Sequence, residues 1–160
     1  MMNLSLLSLT GLMSLVAFQA PASPLPGGNL EEITKEWLQE VFERAYVAVE
    51  IDEDGDLALQ EGGSLVGWLR LDQARKTIEL FTMSVFRSDA TRDEKLEFIN
   101  DLNNNVLGAT FYVAADSVLV ADSYIYYEPG LSDKQLVHQY HRFRDAVRTA
   151  WSWDKADLLM

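Results

Sequence analysis

The chain has 160 residues, a formal net charge of −12 and no cysteine, and 48% of its residues are apolar. This composition is typical of a globular protein, and a chain of this length buries enough surface to fold without a structural metal or disulfide. The lack of cysteine excludes disulfides, thiol catalysis and metal sites with cysteine ligands. The negative charge argues against nucleic acids and anionic lipids, because their phosphate groups would be repelled.

Residues 1–28 differ from the rest of the chain because none of their side chains is charged. The apolar run Leu4–Phe18 is followed by small residues, prolines and glycines up to Gly28, which resembles a signal peptide. No lysine or arginine precedes this run, and it is too short for a transmembrane helix. We expect either a leader that is removed near residue 22 or an arm that packs on the protein. Residues 29–155 then form a single domain, and 156–160 form a tail.

The first predicted element is an amphipathic helix whose apolar residues recur at helical spacing from Ile33 to Ala45. Asn29 stands three residues before Glu32, which is the spacing of a capping box at the start of a helix. The outer face of this helix is mostly acidic.

Four β-prone runs follow, at Tyr46–Ile51, Leu57–Gln60, Leu65–Leu71 and Thr77–Phe86. Short turns separate them, so we expect neighbouring antiparallel strands. Val47, Val49 and Ile51 should share one face of the first strand. The fourth strand has apolar residues in both alternating sets, which predicts that both of its faces are covered.

A second helix is predicted over Asp93–Asn104, with Thr91 at the head of a second capping box. Leu96 and Ile99 should lie on its buried face. Asn103 lies near that face, and a buried amide there would need hydrogen-bonding partners.

Two more β-prone runs, Ala109–Ala115 and Ser117–Tyr127, precede a long final helix from Asp133 to about Lys155, which Ser132 opens with a third capping box. Its predicted core stripe consists of Leu136, Tyr140, Phe143, Val147 and Trp151. The order α-β-β-β-β-α-β-β-α with short connections predicts an α+β fold with a twisted antiparallel sheet.

An acidic turn is the first candidate for a metal site. Asp52, Asp54 and Asp56 alternate as in a calcium loop, but Leu57 and Gly63 occupy the positions where that loop needs glycine and a bidentate glutamate. The dipeptide Asp54-Gly55 is typical of a hairpin turn, which we favour strongly.

The two histidines are the second candidate. His138 and His141 lie three residues apart on the final helix and could share a metal with Asp145. Solvated histidines are the commoner case, so we predict no metal and no cofactor.

The final helix also concentrates positive charge, through Lys134, His138, His141, Arg142, Arg144 and Arg148. Arg144 and Arg148 share a face that could dock an acidic partner, although pairing with the protein's own acidic first helix is the more frequent arrangement. Tyr124, Tyr126 and Trp153 form an aromatic concentration of the kind that occurs in cores and interfaces. We therefore predict Tyr124, Tyr126, Arg144, Arg148 and Trp153 as protein-binding residues and predict no catalytic residue.

Three segments carry a resemblance to a known family. They are Tyr46–Leu59 with its acidic turn, Leu96–Asn103 with asparagines three residues apart, and Gly130–Leu136 at the entry to the final helix. The chain resembles the YbjN family, described as candidate bacterial sensory transduction regulators, over about residues 30–151. The resemblance implies a fold similar to type III secretion chaperones, often paired as homodimers, and no known catalysis.

These observations predict a non-enzymatic, cytoplasmic regulatory or chaperone-like module that binds a protein or peptide and forms a homodimer, with no stable membrane span. The alternative is a small binding protein exported through residues 1–22. A metal hydrolase that uses the two histidines is the least favoured class.

Overall fold

The computed structural model describes residues 33–115, 117–128, 130–154 and 156–160. The expected leader and the predicted cap at Asn29 lie outside these residues. The described elements are α1 (Lys35–Arg44), β1 (Ala48–Ile51), β2 (Leu57–Glu61), β3 (Ser64–Asp72), β4 (Thr77–Val85), α2 (Arg92–Asn105), β5 (Thr110–Ala114), β6 (Val118–Tyr126) and α3 (Asp133–Ser152). Their order confirms the predicted α+β sequence of elements.

The predicted capping boxes of α2 and α3 are both present. The Thr91 hydroxyl accepts a hydrogen bond from the Glu94 amide, and the Glu94 carboxylate accepts one from the Thr91 amide. Ser132 and Gln135 repeat this exchange at the start of α3. Helix α1 begins at Lys35 with Thr34 as its N-cap.

The six strands form one antiparallel sheet in the order β1-β2-β3-β4-β6-β5. Strand β4 pairs with β6 along its whole length, from Thr77 opposite Tyr126 to Val85 opposite Val118. The connection from β4 through α2 leads to β5 at the edge of the sheet, and β6 then returns to lie between β5 and β4.

The helices cover one face of the sheet, and the core lies beneath them. Leu80 of β4 and Leu119 of β6 are fully buried on that face. Phe42 of α1 meets Tyr140 of α3 edge to face, with ring centroids 5.2 Å apart, which joins the two helices above the sheet. Buried α3 residues follow the predicted stripe through Leu136, Tyr140, Phe143 and Val147, with Trp151 half-buried.

Val49 and Ile51 share one face of β1, as predicted, and Ile51 is exposed at this edge of the sheet. Two expectations about burial were wrong. Leu96 is exposed because α2 contacts the sheet at the edge strand β5, through Ile99 and Leu102 farther along the helix. Strand β4 is covered on only one face along its C-terminal half, where Met83 is 48% exposed.

The side chain of Asn103 covers part of the outer edge of β5. Its Nδ2 donates to the carbonyl oxygen of Phe111 at 2.8 Å, and its Oδ1 accepts from the amide of Phe111 at 2.9 Å. The backbone groups of an edge strand otherwise face solvent or another chain. The predicted need of this asparagine for partners is therefore met by the edge strand.

Replacing Asn103 with alanine removes both hydrogen bonds and leaves the backbone of Phe111 without this partner. We expect Asn103→Ala to lower the free energy of unfolding by about 1–3 kcal/mol in urea denaturation. Asn104→Ala is the matched control, since it gains the same helix propensity and should change stability by less than about 0.5 kcal/mol. Equal effects of the two substitutions would contradict this role.

Candidate protein-binding site

The face of the sheet that lies opposite the helices carries an apolar patch. We name it the open face, and its members come from strands β3 to β6. In register across these strands, Trp68 lies opposite Phe81, and Met83 lies opposite Val120, which is itself opposite Tyr112. The rings of Trp68 and Phe81 stack with centroids 5.7 Å apart. Met83 and Tyr112 remain exposed, so this patch faces outward without a covering element among the described residues.

A network of charged residues borders the apolar patch. Arg70 of β3 forms a bidentate pair with Asp56, with its Nη2 at 2.5 Å from Oδ2 and its Nε at 3.1 Å from Oδ1. Its Nη1 lies 3.5 Å from Glu79 Oε2, and its guanidinium stands 4.9 Å from the centre of the Phe81 ring. The Tyr124 hydroxyl donates to Glu79 Oε1 at 3.1 Å. Arg70 therefore links the acidic residues to the aromatic stack.

Tyr124 and Asp122 are two of the groups on the open face whose pKa values are raised. Partial burial and the negative charge of Glu79, which also accepts its hydrogen bond, raise the pKa of Tyr124 to about 12. Burial, with the charge of Glu79, also raises the pKa of Asp122 above its ordinary value of 3.8. Asp122 is buried and lies opposite Phe81 of β4, so its ionised form is disfavoured there.

A second polar cluster lies on the other side of the sheet, at the contact between α3 and the end of β2. Glu61 accepts hydrogen bonds from the Tyr140 hydroxyl at 3.0 Å and from Arg144 Nη1 at 2.9 Å, and Arg148 Nη2 lies 3.3 Å from it. Burial raises the pKa of Glu61, but the hydrogen bonds from Arg144 and Tyr140 and the two positive charges outweigh it. The net pKa of Glu61 is therefore lowered.

This cluster corrects the expected partner of the arginines. Arg144 and Arg148 pair with Glu61 of β2, whereas the ion pair between α1 and α3 joins Arg44 Nη2 to Asp133 Oδ2 at 2.7 Å. Sequence reasoning missed Glu61, because it is one of many acidic residues and only the folded chain brings it to α3. Its position beside Gly62 and Gly63 predicts a turn and gives no sign of this contact.

The five residues predicted to bind proteins divide between two surfaces. Tyr124 and Tyr126 project from the open face and are 51% and 74% exposed. Arg144 and Arg148 lie on α3, on the opposite side of the sheet, and Trp153 caps the end of α3. The structure does not bring these residues into one site.

The residues considered as metal ligands are not arranged as a metal site. Asp52 Oδ1 accepts hydrogen bonds from the amides of Asp54 and Asp56, which is how an aspartate stabilises a tight turn. Among the described residues, no group of three or more histidine, aspartate or glutamate side chains is arranged to hold a metal ion. In the same residues, no helix is both long and apolar enough to cross a membrane.

Comparison with protein families gives a match over residues 34–153 to the model of the YbjN family, whose description reads "Putative bacterial sensory transduction regulator". The chain belongs to the YbjN family. A search of curated proteins found no match.

Solved structures similar to this YbjN-family protein share its fold. The structure of "YbjN, a putative transcription regulator from E. coli" superposes with a TM-score of 0.68 at 15% identity, covering 82% of this chain and 98% of that one. An uncharacterised protein from Methanothermobacter thermautotrophicus gives 0.58 at 12% identity, covering 78% and 99%. The HopA1-SchA chaperone–effector complex gives 0.52 at 16% identity, covering 74% and 91%. The predicted likeness to a type III secretion chaperone fold is confirmed.

The Glu61 cluster predicts a loss of stability in acid. Because the pKa of Glu61 is lowered in the folded protein, its contribution is complete above the unfolded value of 4.5 and is lost as pH falls through the folded pKa. We expect Glu61→Gln to cost about 1–2 kcal/mol at neutral pH, since the hydrogen bonds to a charged acceptor become weaker. Urea denaturation at several pH values should show this cost shrinking below pH 4.5. The exposed substitution Glu97→Gln is the control, and an equal cost at all pH values would contradict the assignment.

Asp122 is expected to affect the pH dependence of stability in the opposite direction to Glu61. Because its pKa is raised in the folded protein, the folded state holds the proton more tightly than the unfolded chain. Ionised Asp122 therefore lowers stability at neutral pH, and this cost disappears as pH falls through the folded pKa towards 3.8. Asp122→Asn should raise the melting temperature at neutral pH, and the gain should shrink in acid. Substitution of the exposed Asp101 by asparagine serves as control. A loss of stability in Asp122→Asn at neutral pH would contradict this prediction.

Proposed function

We propose that this YbjN-family protein is a non-enzymatic regulatory module that binds proteins through the open face, and that its first partner is a second copy of the same chain. The observation that supports this most directly is the outward-facing apolar patch around Met83, Tyr112 and Tyr124. Exposed contiguous apolar surface of this kind on an otherwise charged protein marks interaction sites.

The chemistry of the open face fits a protein partner. Its centre is apolar and aromatic, through Met83, Val120 and Tyr112, and its border carries Arg70, Glu79 and Tyr124. A specific interface usually has an apolar and aromatic centre inside a polar rim. Tyrosine suits such a place because its ring packs while its hydroxyl keeps a hydrogen bond.

A second copy of the same chain is the partner that we favour for the open face. Two sheets pack face to face at about 10 Å, and two open faces related by a two-fold axis would each cover the apolar centre of the other. In that arrangement Arg70 of one copy can approach acidic rim residues of the other, since Asp56 and Glu79 leave the local charge negative. The fold shared with a chaperone in complex with its effector supports a protein partner in general.

Sedimentation velocity of the full chain over a range of concentrations tests the dimer. We expect a mass of twice 18.1 kDa for the unaltered protein. Met83→Glu places a charge at the centre of the open face and should yield a monomer that remains folded, because Met83 is already half-exposed. Leu107→Glu adds the same charge at an exposed position outside the open face and should remain dimeric.

Two outcomes would contradict the proposal. A strict monomer for the unaltered chain at concentrations of tens of micromolar would remove the homodimer. A dimer that persists in Met83→Glu would place the interface elsewhere. Circular dichroism of each variant separates loss of association from loss of the fold.

A further inference from the structure

Strands β3 and β4 separate partway along the sheet. Their pairing runs from Asp72 opposite Thr77 to Trp68 opposite Phe81 and ends there. Beyond this point, β3 continues with β2 as far as Ser64, whereas β4 continues with β6 as far as Val85. The first half of β3 and the second half of β4 are therefore not paired with each other, and the sheet forks between them.

A glycine and a bulge make the fork possible. A Cβ atom at Gly67 would lie 2.5 Å from the carbonyl oxygen of Phe81, so no larger residue fits where the strands part. The register between β2 and β3 shifts between Leu59 and Gln60, and such an irregularity bends a strand away from its neighbour.

The fork opens into a cleft of about 440 Å³. Leu65, Val66 and Trp68 line it from β3, and Met83 lines it from β4. The end of α3 closes the helix side. This volume lies within the range of pockets that bind small ligands or peptide side chains.

At the end of β4, the side that faces the cleft already forms backbone hydrogen bonds with another segment of the chain. The Met160 amide donates to the Val85 carbonyl oxygen at 2.9 Å, and the Arg87 amide donates to the Leu158 carbonyl oxygen at 2.8 Å. Leu159 forms an antiparallel bridge with Phe86. The last residues of the chain thus lie along the edge of β4 that β3 has left.

The backbone amide and carbonyl of Met83 point into the cleft, on the same side of β4 as those of Val85. In an antiparallel strand, the amide and carbonyl groups of every second residue point to the same side, so Met83 follows Val85. The described strand pairing gives Met83 no partner on this side, since the β3 register ends at Phe81. One amide and one carbonyl of β4 are therefore available for a further extended segment.

Positive charge stands at the mouth of the cleft. Arg144 and Arg148 line it, and Glu61 is the acidic residue among the described residues of the lining. Arg144 is largely buried and also pairs with Asp145, whereas the Arg148 side chain is 65% exposed and contacts Glu61 at 3.3 Å. In a chain with a net charge of −12, this is a place where an acidic group is attracted.

We propose that the cleft binds an extended segment of a partner protein by strand addition to β4. The segment would hydrogen bond to the backbone of Met83, place an apolar side chain between the fork and α3, and present a carboxylate to Arg148. Strand addition of this kind obtains affinity from main-chain hydrogen bonds and specificity from pockets for alternate side chains. The cleft shares Trp68 and Met83 with the open face, but strand addition uses the backbone edge of β4 and does not depend on the proposed dimer.

The probe for this site is a short synthetic peptide that alternates valine with threonine and ends in glutamate. Its titration into ¹⁵N-labelled full-length protein should give saturable shifts of the amide signals of Val66, Met83 and their neighbours. An analogue N-methylated at alternate amides keeps the side chains but cannot form the strand pairing, so its binding should be lost.

Charge is tested with Arg148→Gln, which should weaken binding of the probe about two- to fivefold, as expected for an exposed ion pair. Arg142→Gln, an exposed substitution on α3 away from the cleft, should leave the affinity unchanged. No saturable binding, equal binding of the N-methylated analogue, or shifts centred on Tyr112 and Tyr124 would each overturn the proposal. The last result would instead assign the peptide to the open face.

Discussion

The pairing of β4 with β6 is the constraint on which the rest of the structure depends. Its register, from Thr77 opposite Tyr126 to Val85 opposite Val118, sends Ile78 and Leu80 with Ile125 and Ala121 beneath the helices. The same register sends Met83 and Val120 to the open face, because a shift of one residue would exchange the two faces. Both candidate surfaces are consequences of this single alignment.

The β4–β6 pairing also explains how the sheet can fork while β4 remains part of it. A strand that lost pairing on both sides would leave many backbone groups exposed, which costs free energy. Because β6 holds β4 over its whole length, β3 can leave at Gly67 and follow β2 instead. The C-terminal residues then cover part of the edge, where Asp154 accepts hydrogen bonds from the amides of Leu158 and Leu159 and fixes the turn that places them there.

The sequence was sufficient wherever partners lie close together along the chain. Thr91 and Glu94 are three residues apart, so their capping box could be predicted, as could the Asp52 turn. The placement of β5 outside β6 and the contact between Glu61 and Arg144 join distant parts of the chain, and no local pattern specifies them. The predicted binding residues were chosen by residue type, which is why they divide between two surfaces once the sheet separates Tyr124 from Arg148.

Asp122 provides a further argument that the open face is more than an uncovered side of the sheet. A carboxylate that is buried beside Glu79 makes folding less favourable at neutral pH, since burial and like charge both oppose its ionisation. Asparagine or threonine would fit a strand there without this cost. Natural proteins depart from such local rules mainly at functional sites, where the loss of stability is offset elsewhere. The energetic cost of Asp122 and the exposure of Met83 and Tyr124 therefore fall on the same face of the sheet, which is the face that we propose as the protein-binding surface.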